Sequence, residues 1–344
     1  MLLRSIKDFK IDIVNSHRSE DHSFAWIAKT VSGVRWVLTR GDQRKITSSP
    51  LSALKYRRSD AIILTCESIF KNNPIFAMTP RTPSIVYGSV DQDHFRTSQA
   101  KPALLQRFGL RKDHLHVGWV GRLSPVKDPW TYLRAIAQLP ADLPPTTFIL
   151  AGPPCEISHA DLAVEAERLG IEERVVQLST VDNIADLMSL LDIGVITSVA
   201  SETISRVLLE LMYLGKPVIG TAVNAIAEII DPGATGALIA PKAPRELARQ
   251  MELLLKDSAL RKRYGHNAEA RYRSRYSEAQ FRRAYTDVLD RVMQGSPKVM
   301  KLKKKEFEDL KQGSMTVSEY VTRFTQLSHY APGNVDTDEK KQYW

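Results

Sequence analysis

Two glutamates eight positions apart, Glu202 and Glu210, lie in a segment that predicts a polar loop followed by a helix. Glu202 precedes this helix, and Glu210 lies about two turns inside it. Upstream, Arg122 and Lys127 share a loop that follows a predicted strand. A helix N-terminus and fixed cations suit a diphosphate, and carboxylates accept hydrogen bonds from sugar hydroxyls. The combination indicates an enzyme acting on a nucleotide-activated sugar.

Each of these features also has an ordinary structural interpretation. Two cations in a surface loop need no ligand. Glu210 is surrounded in the sequence by Leu208, Leu209, Leu211 and Met212, and a carboxylate in such surroundings needs a partner. A structural salt bridge would provide one. The residues alone leave both interpretations open.

Two further sites carry weaker signals. His17 ends the first predicted strand, where a histidine could contact an acceptor or serve only the structure. Asp91 and Asp93 form a D-x-D pair that could bind a divalent cation, but their position beside Gly88 favours a turn. We therefore expect no metal site.

Short apolar runs alternate with amphipathic helices along most of the chain. Strands are predicted at residues 11–15, 34–39, 61–65, 84–87, 116–120, 147–151, 175–178, 193–197, 217–220 and 237–239. This alternation predicts an α/β fold with parallel sheets covered on both faces. We expect two doubly wound Rossmann-like domains, residues 1–111 and 112–294, with a cleft between them.

The composition is that of an ordinary soluble globular protein. The 344 residues include 43% hydrophobic and 25% charged residues, with a formal net charge of +9. The basic excess favours phosphates of nucleotides, lipid headgroups or nucleic acid without choosing among them. Two cysteines are too few for a disulfide framework or a zinc site. Without an apolar signal core, the chain is predicted to be cytoplasmic, with peripheral membrane contact at most.

Residues 9–293 resemble a retaining glycosyltransferase of GT-B family 4, with two Rossmann-like domains. The likeness is strongest in V-G-W-V-G-R-L-S-P-V-K-D-P (117–129) and S-E-T-I-S-R-V-L-L-E-L-M-Y-L-G-K-P-V-I-G-T (201–221). It implies metal-independent transfer, without a cofactor, from a nucleotide-diphosphate sugar to a hydroxyl of a glycan or lipid-linked acceptor. It implies catalytic roles for Arg122, Lys127 and Glu202, donor contacts from Gly121, Ile204, Ser205, Arg206 and Glu210, and His17 on the acceptor side.

The chain departs from the family pattern at three places. Thr203–Ile204–Ser205 stands where the family has Gly-Phe-Gly, and 224–228 lacks the usual double glycine. Residues 9–17 match an internal strand of the family's domain, so the resemblance implies that the predicted acceptor-side domain lacks its first strand and Gly-rich loop. We therefore expect weak binding of the nucleotide sugar and little or no turnover. An inactive transferase relic is the corresponding alternative.

The segment after Gly295-Ser296-Pro297 is of a different kind. Residues 303–332 resemble the gag capsid-like region of plant gypsy-type retrotransposons, with a capping box at Thr316 and Glu319. We interpret residues 298–344 as a partial gag-like helical segment, joined by transposon insertion or an erroneous gene model. Its zinc knuckle is absent, so no nucleic-acid partner is expected. A gag-like assembly protein is the alternative function.

Overall fold

The computed structural model describes residues 1–46, 49–93 and 95–294, together with 302, 303, 305, 306, 309, 319, 323, 326 and 327. These residues form two compact units. The smaller unit comprises Met1–Leu38, Arg58–Ala61 and the described residues from Tyr285 onward. The larger unit comprises Thr39–Arg57 and Ile62–Ala284.

The first sheet has four parallel strands in the order β1-β2-β3-β4. Its strands are β1 (Ile13–Ser16), β2 (Arg35–Arg40), β3 (Ala61–Leu64) and β4 (Ser84–Ile85). The helices of this half are α1 (Leu2–Asp8), α2 (Ser19–Ser32), α3 (Pro50–Arg58), α4 (Glu67–Lys71) and α5 (Lys101–Arg107), with a 3-10 helix at Pro74–Met78. In the smaller unit, Ile6, Ala28 and Val34 pack together beside Val14.

The second sheet lies wholly in the larger unit and has six parallel strands. They are β5 (Leu115–Val120), β6 (Thr146–Ala151), β7 (Val175–Leu178), β8 (Ile193–Ile196), β9 (Val218–Thr221) and β10 (Gly236–Ile239). Their order is β10-β9-β8-β5-β6-β7, so the winding direction reverses between β5 and β8. Open α/β sheets bind ligands at the carboxyl ends of the strands at such a reversal.

Helices cover this sheet and continue beyond its last strand. They are α6 (Pro129–Ile136), α7 (His159–Arg168), α8 (Ile184–Leu190), α9 (Arg206–Tyr213), α10 (Asn224–Ile229), α11 (Pro244–Lys256), α12 (Ser258–Arg275) and α13 (Glu278–Gln294), with a 3-10 helix at Glu172–Arg174. Within the described residues, no helix combines the length and the apolar character needed to cross a bilayer.

The core of the second sheet fixes the strand ends around the reversal. Trp119 and Phe148 are buried on β5 and β6, where apolar strands indicate a sheet covered on both faces. Leu211 of α9 occupies the space above Gly194 of β8, where an added Cβ would come within 2.4 Å of its side chain. α9 therefore seats closely on the strand that leads to it.

The predicted fold class is confirmed, with two parallel sheets and alternating helices. All ten predicted strands are present, with ends shifted by no more than two residues. The domain boundaries at residues 111 and 294 stay a prediction. Thr316 of the predicted capping box, and most of residues 298–344, lie outside the described residues.

Candidate functional site

The loop after β5 begins with a close approach between two strand ends. The Gly121 N–H donates to the Ala151 carbonyl at 2.9 Å. Gly152, the next residue after β6, has a φ of +154°, and a Cβ there would lie 1.8 Å from the Gly121 oxygen. Only glycine fits this position, so the path of the chain into Arg122 depends on Gly152.

A polar network holds Lys127 in place at the end of this loop. The Lys127 N–H donates to the Ser124 carbonyl at 3.0 Å. The Thr197 hydroxyl, just after β8, lies 2.9 Å from the Lys127 carbonyl and 2.8 Å from the Trp119 indole N–H, which donates to it. Asp128 then caps α6 by accepting from the Thr131 hydroxyl at 2.6 Å. The network connects the carboxyl ends of β5 and β8.

The Lys127 ammonium donates to Oε1 of Glu202. The Ser198 hydroxyl donates to the same oxygen at 2.6 Å. The Glu202 side chain is only 5% exposed, whereas that of Lys127 is 28% exposed. Because burying an unpaired carboxylate is costly, the Glu202 side chain depends on its contacts with Lys127 and Ser198.

A cavity of about 90 Å³ opens beside this pair. Its lining contains four of the predicted site residues, Lys127, Glu202, Ser205 and Arg206. The other lining residues are Trp119, Val120, Ile196, Ser198 and Val207. The structure thus brings two cations and a carboxylate from separate loops to one place at the winding reversal.

The start of α9 faces this cavity through an unusual backbone. Ser201 and Ser205 have φ angles of +58° and +48°, in the left-handed region that favours glycine. The N–H groups of Leu208 and Leu209 both donate to the Ser205 carbonyl, at 3.0 and 3.2 Å. The amides of the first turn before them have no acceptor within the helix. They suit an anion, as does the Arg206 side chain.

Glu210 lies in very different surroundings. It is 9% exposed, and its carboxylate has no hydrogen-bond or ion-pair partner among the described residues. Burial raises the pKa of Glu210, while the nearby Arg206 guanidinium opposes this effect. Such a carboxylate gains from any ligand hydroxyl that donates to it. Glu210 is not part of the cavity lining described above.

Three other predicted residues also lie outside that lining. Gly121 is partly buried, and Arg122 is exposed with no ion pair or hydrogen bond to its guanidinium in the described part of the chain. Ile204 is 36% exposed and lies where a Cβ on Gly88 would be, 2.5 Å from its Cγ2. These three residues flank the two loops that carry Lys127 and Glu202.

The weaker sequence signals concern residues that are not part of that lining. His17 is exposed directly after β1 in the smaller unit, and its role on the acceptor side stays a prediction. Asp91 accepts a hydrogen bond from the Asp93 N–H at 3.2 Å, in the local geometry of a turn.

Sequence reasoning missed Ser198 and Thr197, which support Glu202 and Lys127. A signal was available, because both polar residues directly follow the buried strand β8. Their position at the carboxyl end of a parallel strand marks them as candidates. Each was overlooked because serine and threonine are common in loops.

Comparisons with known proteins point to one family. Residues 101–271 match the family described as Glycosyl transferases group 1. N-acetyl-alpha-D-glucosaminyl L-malate synthase of Bacillus anthracis is 26% identical over 295 residues, which cover 81% of this chain and 75% of that protein. D-inositol 3-phosphate glycosyltransferase of Mycobacterium marinum is 28% identical over 271 residues, covering 72% of this chain and 56% of that protein.

The fold has solved counterparts. The crystal structure of Anabaena Alr3699/HepE in complex with UDP matches with a TM-score of 0.74 and 23% identity, over 84% of this chain and 80% of that chain. The same protein in complex with UDP-glucose matches with a TM-score of 0.70. The two parallel-sheet Rossmann-like domains are those of a GT-B fold. Residues 101–271 are thus similar to the glycosyl transferases of group 1, and the structural likeness shows that the fold is GT-B.

Proposed function

We propose that this chain is a retaining, metal-independent hexosyltransferase that moves a sugar from a nucleotide-diphosphate sugar to an acceptor hydroxyl. The observation that carries the proposal is the contact of Lys127 with the buried Glu202 at the winding reversal of the second sheet. A lone surface loop would not hold a cation against a buried carboxylate from another strand. This pairing favours a ligand site over the ordinary interpretation of the two loops.

The donor would bind across these loops. Arg122 and Lys127 would contact the diphosphate, aided by Arg206 and the free amides at the start of α9. Glu202 would accept hydrogen bonds from the sugar hydroxyls, and Glu210 from the ribose. As the glycosidic bond breaks, the fixed cations would stabilise the charge that develops on the departing diphosphate. Retention follows if the acceptor hydroxyl attacks the same face of the sugar.

The relatives support the choice of donor and acceptor classes. The HepE structures are complexes with UDP and with UDP-glucose, so a uridine nucleotide is the first donor to test. The relatives' names include L-malate and D-inositol 3-phosphate, small anionic molecules with hydroxyl groups. Acceptors of that kind extend the glycan or lipid-linked acceptors expected from the sequence. Contact with a membrane stays a prediction.

A titration with UDP-sugars and GDP-sugars tests the proposal. We expect wild-type protein to bind at least one of them, and Arg122→Ala to weaken that binding about tenfold or more because a charge-assisted phosphate contact is lost. The variant should keep its thermal stability, since Arg122 is exposed and unpaired in the described structure. Arg111→Ala is the matched control, because Arg111 is an exposed arginine at the amino end of the same strand.

Absence of binding to every nucleotide sugar would refute the proposal, as would equal weakening by Arg111→Ala. Binding without transfer would instead support the alternative of an inactive transferase relic. The gag-like tail is tested separately. Sequencing the transcript across residues 295–301 would refute the fusion if two messages were found, and multimerisation dependent on residues 298–344 would favour the assembly function.

A further inference from the structure

Glu228 on α10 makes contacts that the proposed transfer does not explain. Its carboxylate accepts hydrogen bonds from the backbone N–H groups of Glu67 at 2.9 Å and of Ser68 at 2.7 Å. The Tyr87 hydroxyl donates to it at 3.0 Å. Burial and the Glu228 carboxylate raise the pKa of the Tyr87 hydroxyl, so this donor keeps its proton.

These bonds satisfy the start of a short helix from outside that helix. α4 begins at Glu67, and the amides of its first turn have no acceptor within it. Cys66 at the preceding position provides no side-chain cap. The carboxylate of Glu228, 160 residues further along the chain, fills that role. The contact therefore joins two distant segments of the larger unit.

The other end of α10 contacts the candidate site. The Ala225 N–H donates to the backbone carbonyl of Glu202 at 2.9 Å. The Arg271 guanidinium on α12 holds the last turn of α10 by donating to the Ile229 carbonyl at 2.8 Å. α10 is thus fixed at both ends, with Glu202 at one end and α4 near the other.

We propose that Glu228 is a positioning residue that links α4 to Glu202 through α10. By this link, Glu228 sets how well the site distinguishes a nucleotide sugar from the bare nucleotide. The proposal rests on the proposed function, because it assigns Glu202 to the sugar. With Glu228 removed, α10 loses its anchor on α4. The Ala225 contact then loosens, and the Glu202 backbone shifts without any change in the residues that touch the ligand.

The side chain can be replaced without opening the core. Glu228 is partly exposed and borders a cavity of about 440 Å³. Glu67, Lys71, Tyr87, Arg275 and Tyr276 also line this cavity. Glu228→Ala should therefore fold, and Glu228→Gln, which keeps the size and one acceptor oxygen, serves as the milder variant.

Hydrogen exchange on the full chain without ligand tests the link directly. We expect Glu228→Ala to speed exchange about tenfold at the amides of Glu67 and Ser68, and also at Ala225. Glu228→Gln should give a smaller increase at the same three positions. Faster exchange at Glu67 and Ser68 with Ala225 unchanged would overturn the proposal, because Glu228 would then be a local cap.

A matched control separates the link from a general loss of stability. Glu246 also accepts a backbone hydrogen bond, from the Ala240 N–H at 2.9 Å. Glu246→Ala should speed exchange near Ala240 and leave Ala225 unchanged. Peptides from β6 report global unfolding in every variant. The change in exchange at Ala225 is therefore corrected for the change in exchange of these peptides.

Binding provides the second measurement. We expect the ratio of the UDP and UDP-glucose dissociation constants to fall several-fold in Glu228→Ala and to be unchanged in Glu246→Ala. An unchanged ratio in Glu228→Ala would overturn the proposal that Glu228 affects recognition of the sugar. If wild-type protein binds no UDP-sugar or GDP-sugar, the proposed function fails, while the exchange experiment still decides whether Glu228 and Ala225 are coupled.

Discussion

Glu202 and Glu210 belong to one short segment, yet the entrance and the interior of α9 surround them differently. At the entrance, Lys127 and Ser198 both donate to one oxygen of Glu202. In the interior, Glu210 is buried without a partner among the described residues, and burial raises its pKa. One carboxylate already has two hydrogen-bond donors before any ligand arrives, and the other has none among the described residues.

The difference indicates different uses of the two side chains. A ligand at Glu202 must share or displace bonds that already exist, so its binding depends on the position of Lys127. A ligand hydroxyl at Glu210 would satisfy a group that has no other partner, which makes that contact favourable on its own. On the proposed function, the entrance of α9 would serve both structure and ligand recognition, whereas Glu210 in the interior would serve recognition alone. The predictions below test this contrast.

The largest expected effect is that of Lys127→Met, which leaves the buried Glu202 without its cation. Breaking a fully buried pair costs several kcal/mol, but Lys127 is partly exposed, so we expect a loss of about 2 kcal/mol in unfolding free energy. Transfer from a UDP-sugar should fall about a hundredfold, because one stabilising cation is lost. Thermal unfolding and initial rates measure the two effects.

The double variant Lys127→Met/Glu202→Gln provides the control. Removing the carboxylate's charge should restore much of the lost stability, since no unpaired ion remains buried. It should not restore transfer. If the effects of the two substitutions on the unfolding free energy were additive, the Lys127–Glu202 ion pair would not stabilise the start of α9. The contrast with Glu210 would then fail.

Most of the sheet architecture could be predicted because parallel strands are short apolar runs between turns. β7 was predicted over the same residues that the structure shows, Val175–Leu178. α2 shows where such prediction stops. The spacing of Phe24, Ile27, Ala28 and Val31 predicts one apolar helical face, yet only Ala28 of these four is buried, while the other three are 54–66% exposed. Helical spacing identifies a face but not what packs against it.

The candidate site could also be predicted only in part. The cations at 122 and 127 and the two glutamates could be found from residue types at strand and helix ends. The partner of Glu202 could not, because the bonds from Lys127 and Ser198 depend on the strand order that places β8 beside β5. The left-handed backbone at Ser205 does not follow from serine itself, and its one signal in the sequence is the family glycine that Ser205 replaces.

A smaller effect is expected for Ser198→Ala, which removes the second donor to Glu202 and keeps the ion pair. Loss of a buried hydrogen bond to a charged group should lower the unfolding free energy by about 1.5 kcal/mol. Donor affinity should change less than in Lys127→Met, because Ser198 carries no charge. Ser189→Ala, a serine whose hydroxyl donates to a backbone carbonyl on α8, is the control for thermal unfolding. If Ser198→Ala loses no more unfolding free energy than this control, the Ser198 hydroxyl is dispensable as the second donor to Glu202.

The smallest expected effect is that of Glu210→Gln, which should raise the stability of the protein, whereas the other substitutions lower it. Because the pKa of folded Glu210 lies above its ordinary value of 4.5, the wild-type protein loses stability as the pH rises from about 4.5 through the folded pKa. Gln does not titrate, so the melting temperature of the variant relative to wild type should rise across this window, by about 2 °C or less. Arg206→Gln removes the cation that opposes the shift and should extend the window to higher pH. A difference between Glu210→Gln and wild type that is constant with pH would show that folding does not raise the pKa of Glu210, and the contrast with Glu202 would fail.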